Sequence, residues 1–122
     1  MRDDIANCLA RFWKDFGYYE VSFDKLLWAI QEHLKYGTIE TIELEGEIIA
    51  FARFNVATDV ATILDCVIHP KYRNKNLMRL MLIKGLKKFP YVEYIEYERG
   101  FKDSKIRRYE VMEFLGLKKE KV

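Results

Sequence analysis

The sequence predicts an α+β fold in which helices flank a central sheet. Two stretches of helical periodicity come first, then three strand-like runs separated by turn residues, and finally a helix, a strand and a helix. The predicted order is therefore α-α-β-β-β-α-β-α, with no internal repeat or linker. A chain of 122 residues can bury an apolar core, so we expect one domain over residues 1–122.

The first two helices are predicted from apolar spacing and from their end signals. Residues 2–16 carry apolar side chains at helical spacing, and Gly17 is a typical stop. Ser22 can cap a second helix that runs to about Tyr36 and ends at Gly37. Both helices would place an apolar stripe against the sheet.

Three strands and two tight turns follow. Residues 38–44, 48–56 and 60–68 are the predicted strands, and the turns between them are residues 45–47 and 57–59. The rest of the chain is predicted as a helix over residues 77–89 that Pro90 stops, a strand over residues 91–97, and a last helix that Asp103 or Ser104 caps and that runs to Leu115 before Gly116.

Composition and cysteine content narrow the class of protein. Half of the residues are apolar and 33% are charged, which excludes a disordered or fibrous chain. No apolar run approaches the roughly 20 residues of a membrane span, and the acidic N-terminus is unlike a secretory signal. Cys8 and Cys66 lie in segments predicted to be buried, and they show no Cys-x-x-Cys spacing. Two distant thiols favour a reducing, cytoplasmic location. The lack of a long apolar run favours no membrane partner.

Charge is distributed unevenly along the chain. Residues 1–68 hold 6 Lys and Arg against 12 Asp and Glu, a net −6, whereas residues 69–122 hold 15 against 7, a net +8. The basic half would suit a polyanionic cofactor. It would equally suit a nucleic-acid backbone, or it is a solvated surface.

The segment from Val67 to Met78 carries the most specific signal. It predicts a strand, a polar loop and the first turn of a helix, where backbone N–H groups lack partners inside the helix. These groups and the helix dipole form a site for a phosphate, and Arg73 and Lys75 add positive charge there. The loop is therefore a candidate cradle for the pyrophosphate of a nucleotide-like cofactor.

This loop resembles the cofactor loop of the GCN5-related N-acetyltransferase (GNAT) superfamily, in which a strand leads into Arg/Gln-x-x-Gly-x-Gly/Ala and a helix. Residues 73–78 occupy those positions, with Asn76 in place of the first glycine and Met78 in place of the second. Asn tolerates a left-handed backbone, so Asn76 can keep the bend. The resemblance covers roughly residues 40–117 and implies an acyl-CoA N-acyltransferase fold with a mostly antiparallel sheet. The chain would be a compact member that lacks some of the usual edge elements.

The resemblance also implies a cofactor and its contacts. Acetyl-CoA would be the acyl donor, with backbone near Cys66, Val67 and Ile68 holding the thioester. The remaining cofactor-binding residues implied are Arg73, Asn74, Lys75, Asn76, Leu77, Met78 and, at the start of the last helix, Lys105.

The family's tyrosine, which protonates the thiolate that leaves, has no direct equivalent here. Its position in the terminal motif holds Met112, and Tyr109 lies three residues earlier, on nearly the same face of the predicted helix. Tyr109 is therefore a candidate catalytic acid. Alternatively, its ring only packs with the hydroxyl at the rim.

Asp65 is the second candidate catalytic residue. It lies among apolar residues in a predicted strand, where a carboxylate binds a proton more tightly and can act as a base. It can equally pair with Arg53 across the sheet. His33 is expected to face solvent on its helix, and His69 to lie in a solvated turn. Neither histidine nor either cysteine has the spacing of metal ligands, so no metal is expected.

Three functions remain open from the sequence. The first is acetyl transfer from acetyl-CoA to an unidentified amine. The second is a nucleic-acid-directed modification, as in compact virus-encoded relatives, through the basic C-terminal half. The third is a catalytically degenerate member that only binds a partner, which the replacements at Asn76, Met78 and Met112 favour. A homodimer could cover an open sheet edge.

Overall fold

The structure is a computed structural model, and it describes residues 2–17, 20–73, 75–99 and 105–114. Its helices are α1 (Arg2–Phe16), α2 (Phe23–Tyr36), α3 (Leu77–Leu86) and α4 (Val111–Phe114), with a short 3₁₀ helix at Pro70–Tyr72. Its strands are β1 (Ile39–Leu44), β2 (Glu47–Ala57), β3 (Val60–Ile68), β4 (Tyr94–Arg99) and β5 (Lys105–Glu110).

The sheet is mixed, and its spatial order follows the chain order, β1-β2-β3-β4-β5. Three of its four pairings are antiparallel, and β3 pairs with β4 in parallel. The chain reaches this parallel pairing by crossing over through α3. This confirms the predicted α+β architecture with helices flanking a mostly antiparallel sheet.

The two faces of the sheet hold separate core clusters. Phe51 on β2 is fully buried beneath α1, where the Trp13 ring meets it edge to face at 5.5 Å between centroids. Phe54 on the same strand is fully buried on the other face, among residues of α3 and β4. Alternation along β2 thus joins α1 and α2 to one face and α3 to the other.

End signals in the first half of the chain act as predicted. Ser22 caps α2 by accepting a hydrogen bond from the Lys25 N–H, and Gly37 ends the helix in a left-handed conformation with φ of 70°. Glu45 and Gly46, both at positive φ, form the β1–β2 turn. A positive φ at two successive residues is what a two-residue hairpin turn requires.

Helix α3 is shorter than predicted, ending at Leu86 rather than at Phe89. A proline disfavours the α conformation of the residue before it, so Pro90 acts back on Phe89 and the chain leaves the helix early. Strand β4 accordingly begins at Tyr94 rather than at residue 91.

The predicted last helix is wrong. Residues 105–110 form β5, which pairs antiparallel with β4, and in the described part of the predicted helix only Val111–Phe114 is helical. Cross-strand pairs stabilise the strand: Arg108 Nε donates to Glu96 Oε1 at 2.6 Å. The edge of β4 offers backbone partners that local helical spacing cannot anticipate. The predicted cap residues Asp103 and Ser104 lie outside the described residues.

Candidate active site

Among the described residues, the parallel ladder between β3 and β4 is short, and this leaves a gap in the sheet. It covers four residue pairs, from Val60–Tyr94 to Ile63–Tyr97, although β3 continues to Ile68. At the next residue, Leu64, the register of β3 against β2 shifts. Such a bulge bends a strand and increases its twist, so it turns the second half of β3 away from β4.

The bulge also decides which side chains face which helices. Before it, Ala61 and Ile63 pack against the α3 side, and after it Val67 packs beneath α1. Cys66 and Ile68 then pack with the α3 side, in a cluster that includes Leu77. Asp65 consequently lies on the face that α1 and α2 cover.

Hydrogen-bond alternation identifies the amides that line the gap. The His69 N–H donates to the Ile49 carbonyl at 2.8 Å, in the register in which Ala50 pairs with Ile68. Every second residue of an antiparallel strand bonds to the same neighbour, so the backbone of Val67 faces β2. The backbone groups of Cys66 and Ile68 therefore point away from β2, toward the gap. Of the three residues that the sequence indicated, Cys66 and Ile68 can serve a ligand there through their amides.

A cavity of about 460 Å³ opens beside this strand edge. Phe16 and Gly17, at the end of α1, form one wall of it, and residues 65–68 with Arg73 form the other. Arg73 is anchored because its Nε donates to the Ile68 carbonyl at 3.2 Å. Sequence reasoning treated Phe16 and Gly17 only as the end of a helix, and a contact with β3 across the fold has no local signal.

A close approach explains the glycine at the end of α1. A Cβ at Gly17 would lie 2.7 Å from Trp13 Cδ1 and 3.1 Å from Val67 Cγ2. Both distances are shorter than ordinary carbon–carbon contacts. Gly17 thus lets the end of α1 lie directly over β3, beside the cavity.

The start of α3 has the geometry of an anion site. Asn76 adopts φ of 58° and ψ of 30°, the left-handed conformation, and its side chain makes no capping hydrogen bond. The Leu80 N–H donates to the Asn76 carbonyl, which is the first hydrogen bond of the helix. The N–H groups of residues 77–79 come before it and point out of the helix end. Arg73 and Lys75 are exposed beside them. Asn74, the remaining loop residue of the sequence motif, lies outside the described residues.

The side chain of Met78 packs into the core cluster of Phe54 and Leu82. It therefore points inward from the start of the helix. The replacement of a glycine by Met78 thus leaves the backbone amides of the first turn accessible.

Asp65 forms an ion pair with Arg53, the pairing that the sequence offered as one alternative. Arg53 Nε donates to Asp65 Oδ2 at 2.9 Å, and Arg53 Nη2 donates to the same oxygen. The Asp65 side chain is 4% exposed, and the Arg53 side chain 19%. The guanidinium also lies over the Trp13 ring, with its central carbon 4.9 Å from the ring centroid. The Asp65 carboxylate is therefore held by a structural partner.

His33 extends this network and does not face solvent, so the expectation of an exposed side chain is wrong. Its Nε2 lies 3.2 Å from Arg53 Nη1, and its Nδ1 lies 2.7 Å from Thr38 Oγ1. Because a guanidinium can only donate, Nε2 accepts and Nδ1 carries the proton. Burial lowers the pKa of His33, and the charge of Arg53 lowers it further. The imidazole is thus neutral and links α2 to the sheet.

The two cysteines differ in exposure. Cys8 is exposed on α1, contrary to the prediction, whereas Cys66 is largely buried. Burial, with a smaller effect of the Asp65 charge, raises the pKa of the Cys66 thiol to about 11. A thiol with so high a pKa is a poor nucleophile at neutral pH, so Cys66 contributes backbone and apolar contacts to the site.

Tyr109 lies on β5, not on a helix, and the structure does not place it on one face with Met112. Its ring stacks on Tyr97 with centroids 5.8 Å apart and contacts Phe114 at 5.5 Å. It does not line the cavity beside β3. Lys105, expected at a helix start, is instead the first residue of β5 and pairs with Arg99. Sequence reasoning assigned both residues through a helix that does not form.

His69 organises the turn after β3. Its Nδ1 accepts a hydrogen bond from the Lys71 N–H at 3.1 Å, and its ring lies 4.6 Å from that of Phe16. The residue therefore connects the loop before α3 to the cavity wall. Among the described residues, no group of three or more His, Cys, Asp and Glu side chains is arranged to hold a metal ion. Within the same residues, no helix has the length and apolar character to cross a membrane.

These features define a mixed sheet that opens beside a helix N-terminus, and the fold is similar to those of several solved acetyltransferases. A candidate acetyltransferase from Pyrococcus horikoshii matches with a TM-score of 0.67 at 11% identity, over 80% of this chain and 36% of that one. The PaiA N-acetyltransferase of Thermoplasma acidophilum, solved with coenzyme A, matches with a TM-score of 0.56 at 17% identity, over 82% and 74%. The diaminobutyrate acetyltransferase EctA of Paenibacillus lautus, solved with its diamine substrate and coenzyme A, matches with a TM-score of 0.52 at 17% identity, over 63% and 48%.

The family model of the acetyltransferase (GNAT) family matches residues 2–96, and the chain belongs to that family. No curated protein sequence matches it. The chain spans about a third of the length of the Pyrococcus protein and about half of that of EctA.

Proposed function

We propose that this protein transfers an acyl group, in the first place acetyl, from acyl-CoA to an amine. The observation that carries the proposal is the gap after Ile63, where the backbone of Cys66 and Ile68 faces a cavity next to the start of α3. Family membership and neighbours solved with coenzyme A support the cofactor.

The residues around the gap fit such a cofactor. The amides at the start of α3, together with the exposed cations Arg73 and Lys75, suit a pyrophosphate. The left-handed Asn76 turns the chain so that these amides point outward. The cavity beside Cys66 and Ile68 has room for the acyl end.

Backbone donors would carry much of the chemistry. Acyl-CoA supplies an activated thioester, and attack by an amine places negative charge on its oxygen. An N–H on the free edge of β3, that of Cys66 or of Ile68, is fixed by the strand and can stabilise this charge without reorganisation. Bonds that β3 makes to β2 on its other side hold these donors in place.

The amine must lose a proton, and the thiolate must gain one. Asp65 lies at the cavity, but its ion pair with Arg53 favours a structural role. Tyr109 is not among the described residues that line this cavity. We therefore propose that water transfers the protons at this open site.

Calorimetric titration with acetyl-CoA tests the proposal. Arg73→Ala should weaken binding by on the order of 1–3 kcal/mol, because a charge-assisted contact is lost. Lys87→Ala is the matched control, since Lys87 is an exposed cation at the opposite end of α3. It should bind like the parent.

Release of free coenzyme A in the presence of amines then measures the transfer itself. No binding by the parent protein at millimolar acetyl-CoA would refute the proposed function. Binding without turnover on a broad panel of amines would favour a catalytically inactive member of the family.

A further inference from the structure

Three neighbouring cavities lie along the face of the sheet that α1 and α2 cover. The first is the cavity beside Cys66 and Ile68, and the second, of about 420 Å³, shares Asp65 with it. The third, of about 470 Å³, shares Ala29 and Arg53 with the second. Adjacent cavities share lining residues, and we call the series, which runs from the proposed acyl-transfer site along α2, the groove.

The far end of this groove is aromatic. Trp28 and Tyr36 from α2 line the third cavity, together with Phe89 and Tyr91 from the segment before β4. Trp28 is 65% exposed, Tyr36 64% and Tyr91 58%. Among the described residues, the other exposed large apolar side chains are aliphatic, are less exposed than these three and do not line this cavity: Ile5, Leu44 and Leu80.

This clustering needs an explanation beyond packing. Apolar side chains scattered singly over a surface are ordinary, but a group that surrounds one cavity marks a recognition site. Trp28 and Tyr36 lie about two turns apart on α2 and line the same cavity. Tyr91 reaches the same cavity from another element, and its ring meets that of Phe89 edge to face at 6.3 Å.

Charge at the far end is nearly balanced. The Arg53 guanidinium is paired with Asp65 and bonded to neutral His33, so it is not available to an anionic ligand. Among the described residues that line this cavity, Glu32 is the one carboxylate, and the Lys35 Nζ lies 5.5 Å from the centroid of the Tyr36 ring. These surroundings favour an uncharged, flat apolar group that stacks against the rings.

We propose that the groove binds the acceptor, and that the acceptor is an amine joined by an extended spacer to an aromatic group. This inference rests on the proposed acyl transfer, which places the amine beside Cys66 and Ile68. The aromatic group occupies the cavity of Trp28 and Tyr91. Cys66 pairs with Ala52 on β2, and Asn55, three residues further along that strand, lines the far cavity, so about 10 Å separates the transfer site from the near side of that cavity and sets the scale of the spacer.

Matched probes test the inference without requiring turnover. Phenylhexylamine and hexylamine differ only in the ring. The tetrapeptide amides Ala-Ala-Ala-Phe and Ala-Ala-Ala-Ala differ in the same way, and three extended residues span about 10 Å. Calorimetry with each probe, with and without saturating coenzyme A, gives the affinities. Burial of a phenyl ring should tighten binding by about tenfold or more.

Variants at the aromatic end identify the site. Trp28→Ala and Tyr91→Ala should each remove most of the gain from the phenyl group and leave the affinity for hexylamine and for coenzyme A unchanged. Leu44→Ala is the matched control, since Leu44 is an exposed apolar side chain outside the groove. Circular dichroism of each variant establishes that it is folded.

The outcomes separate the inference from the function on which it rests. If the phenyl ring tightens binding within the amine pair alone, the groove is supported and the acceptor is a small molecule. If it tightens binding within the peptide pair alone, the groove is supported and the acceptor is a peptide N-terminus. Equal affinity within both pairs, no probe binding at millimolar concentration, or the same loss for Leu44→Ala would overturn the inference while leaving coenzyme A binding intact. A parent protein that binds the aromatic probes but not coenzyme A would count against the acyl transfer and not against the aromatic site.

Discussion

Asp65→Asn is the substitution that best separates a structural carboxylate from a catalytic one. Asparagine keeps the size of the side chain but removes the charge that two Arg53 nitrogens contact. Breaking a buried ion pair costs about 3–5 kcal/mol, because the remaining charge is left without its partner. Arg53 keeps its contacts with the Trp13 ring and His33 and is 19% exposed, so we expect a smaller loss of about 2–4 kcal/mol.

Such a loss is measurable by thermal or urea unfolding. For a chain of this length, each 1 kcal/mol shifts Tm by roughly 3–5 °C, so Tm should fall by roughly 6–20 °C. The double variant, Asp65→Asn with Arg53→Gln, should lose less unfolding free energy than the two single variants lose together, because each single variant already breaks the same ion pair. Glu43→Gln, at an exposed position of β1, is the control and should change stability by less than about 0.5 kcal/mol.

Activity gives the second readout. We expect kcat of Asp65→Asn, measured well below its Tm, to fall by less than about tenfold. Loss of a general base lowers turnover by about 10²–10⁴-fold. A fall of that size in a folded variant, or an unchanged Tm, would refute the structural role of Asp65.

Three further predictions concern other contacts. Gly85→Ala should destabilise the fold by about 1–2 kcal/mol in urea unfolding, although alanine has the better helix propensity. The new Cβ would lie 2.9 Å from Glu40 Cγ and 3.1 Å from the buried Phe54 ring. A variant more stable than the parent would contradict this prediction. Because His33 has a lowered pKa in the folded state, its contribution to stability is present above about pH 6.5 and is lost as the pH falls below that value. His33→Asn should flatten the dependence of Tm on pH between about 7.5 and 5.5, and an unchanged slope would argue against the buried neutral imidazole. Iodoacetamide at about pH 8 should alkylate Cys8 at least roughly 100-fold faster than Cys66. Mass spectrometry of the parent and of Cys8→Ser, in which Cys66 is the remaining thiol, measures the two rates. Equal rates would contradict the burial of Cys66.

The first half of the fold could be predicted because its signals are local. Ser22 and Gly37 bound α2 through their own backbone preferences, and the hairpin turn at Glu45 and Gly46 needs only two residues at positive φ. The left-handed Asn76 before α3 follows from the same kind of preference. Each of these features depends on a few neighbouring residues, so a single sequence specifies it.

The last part of the chain shows the opposite case. Residues 105–110 have a helical interpretation in isolation, yet they form β5, because the edge of β4 supplies backbone hydrogen bonds and Glu96 supplies a partner for Arg108. The helical position predicted for Tyr109 was wrong for this reason. His33 was likewise expected in solvent, because its partners Thr38 and Arg53 approach it only in the folded chain.

The sequence by itself therefore determined the fold class, the loop before α3 and the cations beside it, since these rest on periodicity, turn preferences and residue chemistry. The tertiary structure alone decided what the site consists of. The bulge at Leu64, the end of the β3–β4 ladder at Ile63 and the approach of Phe16 and Gly17 to β3 each depend on segments far apart in the chain. Strand pairing across such distances is settled by the packing of the whole domain, which is why the gap and the groove along α2 have no signature in the sequence.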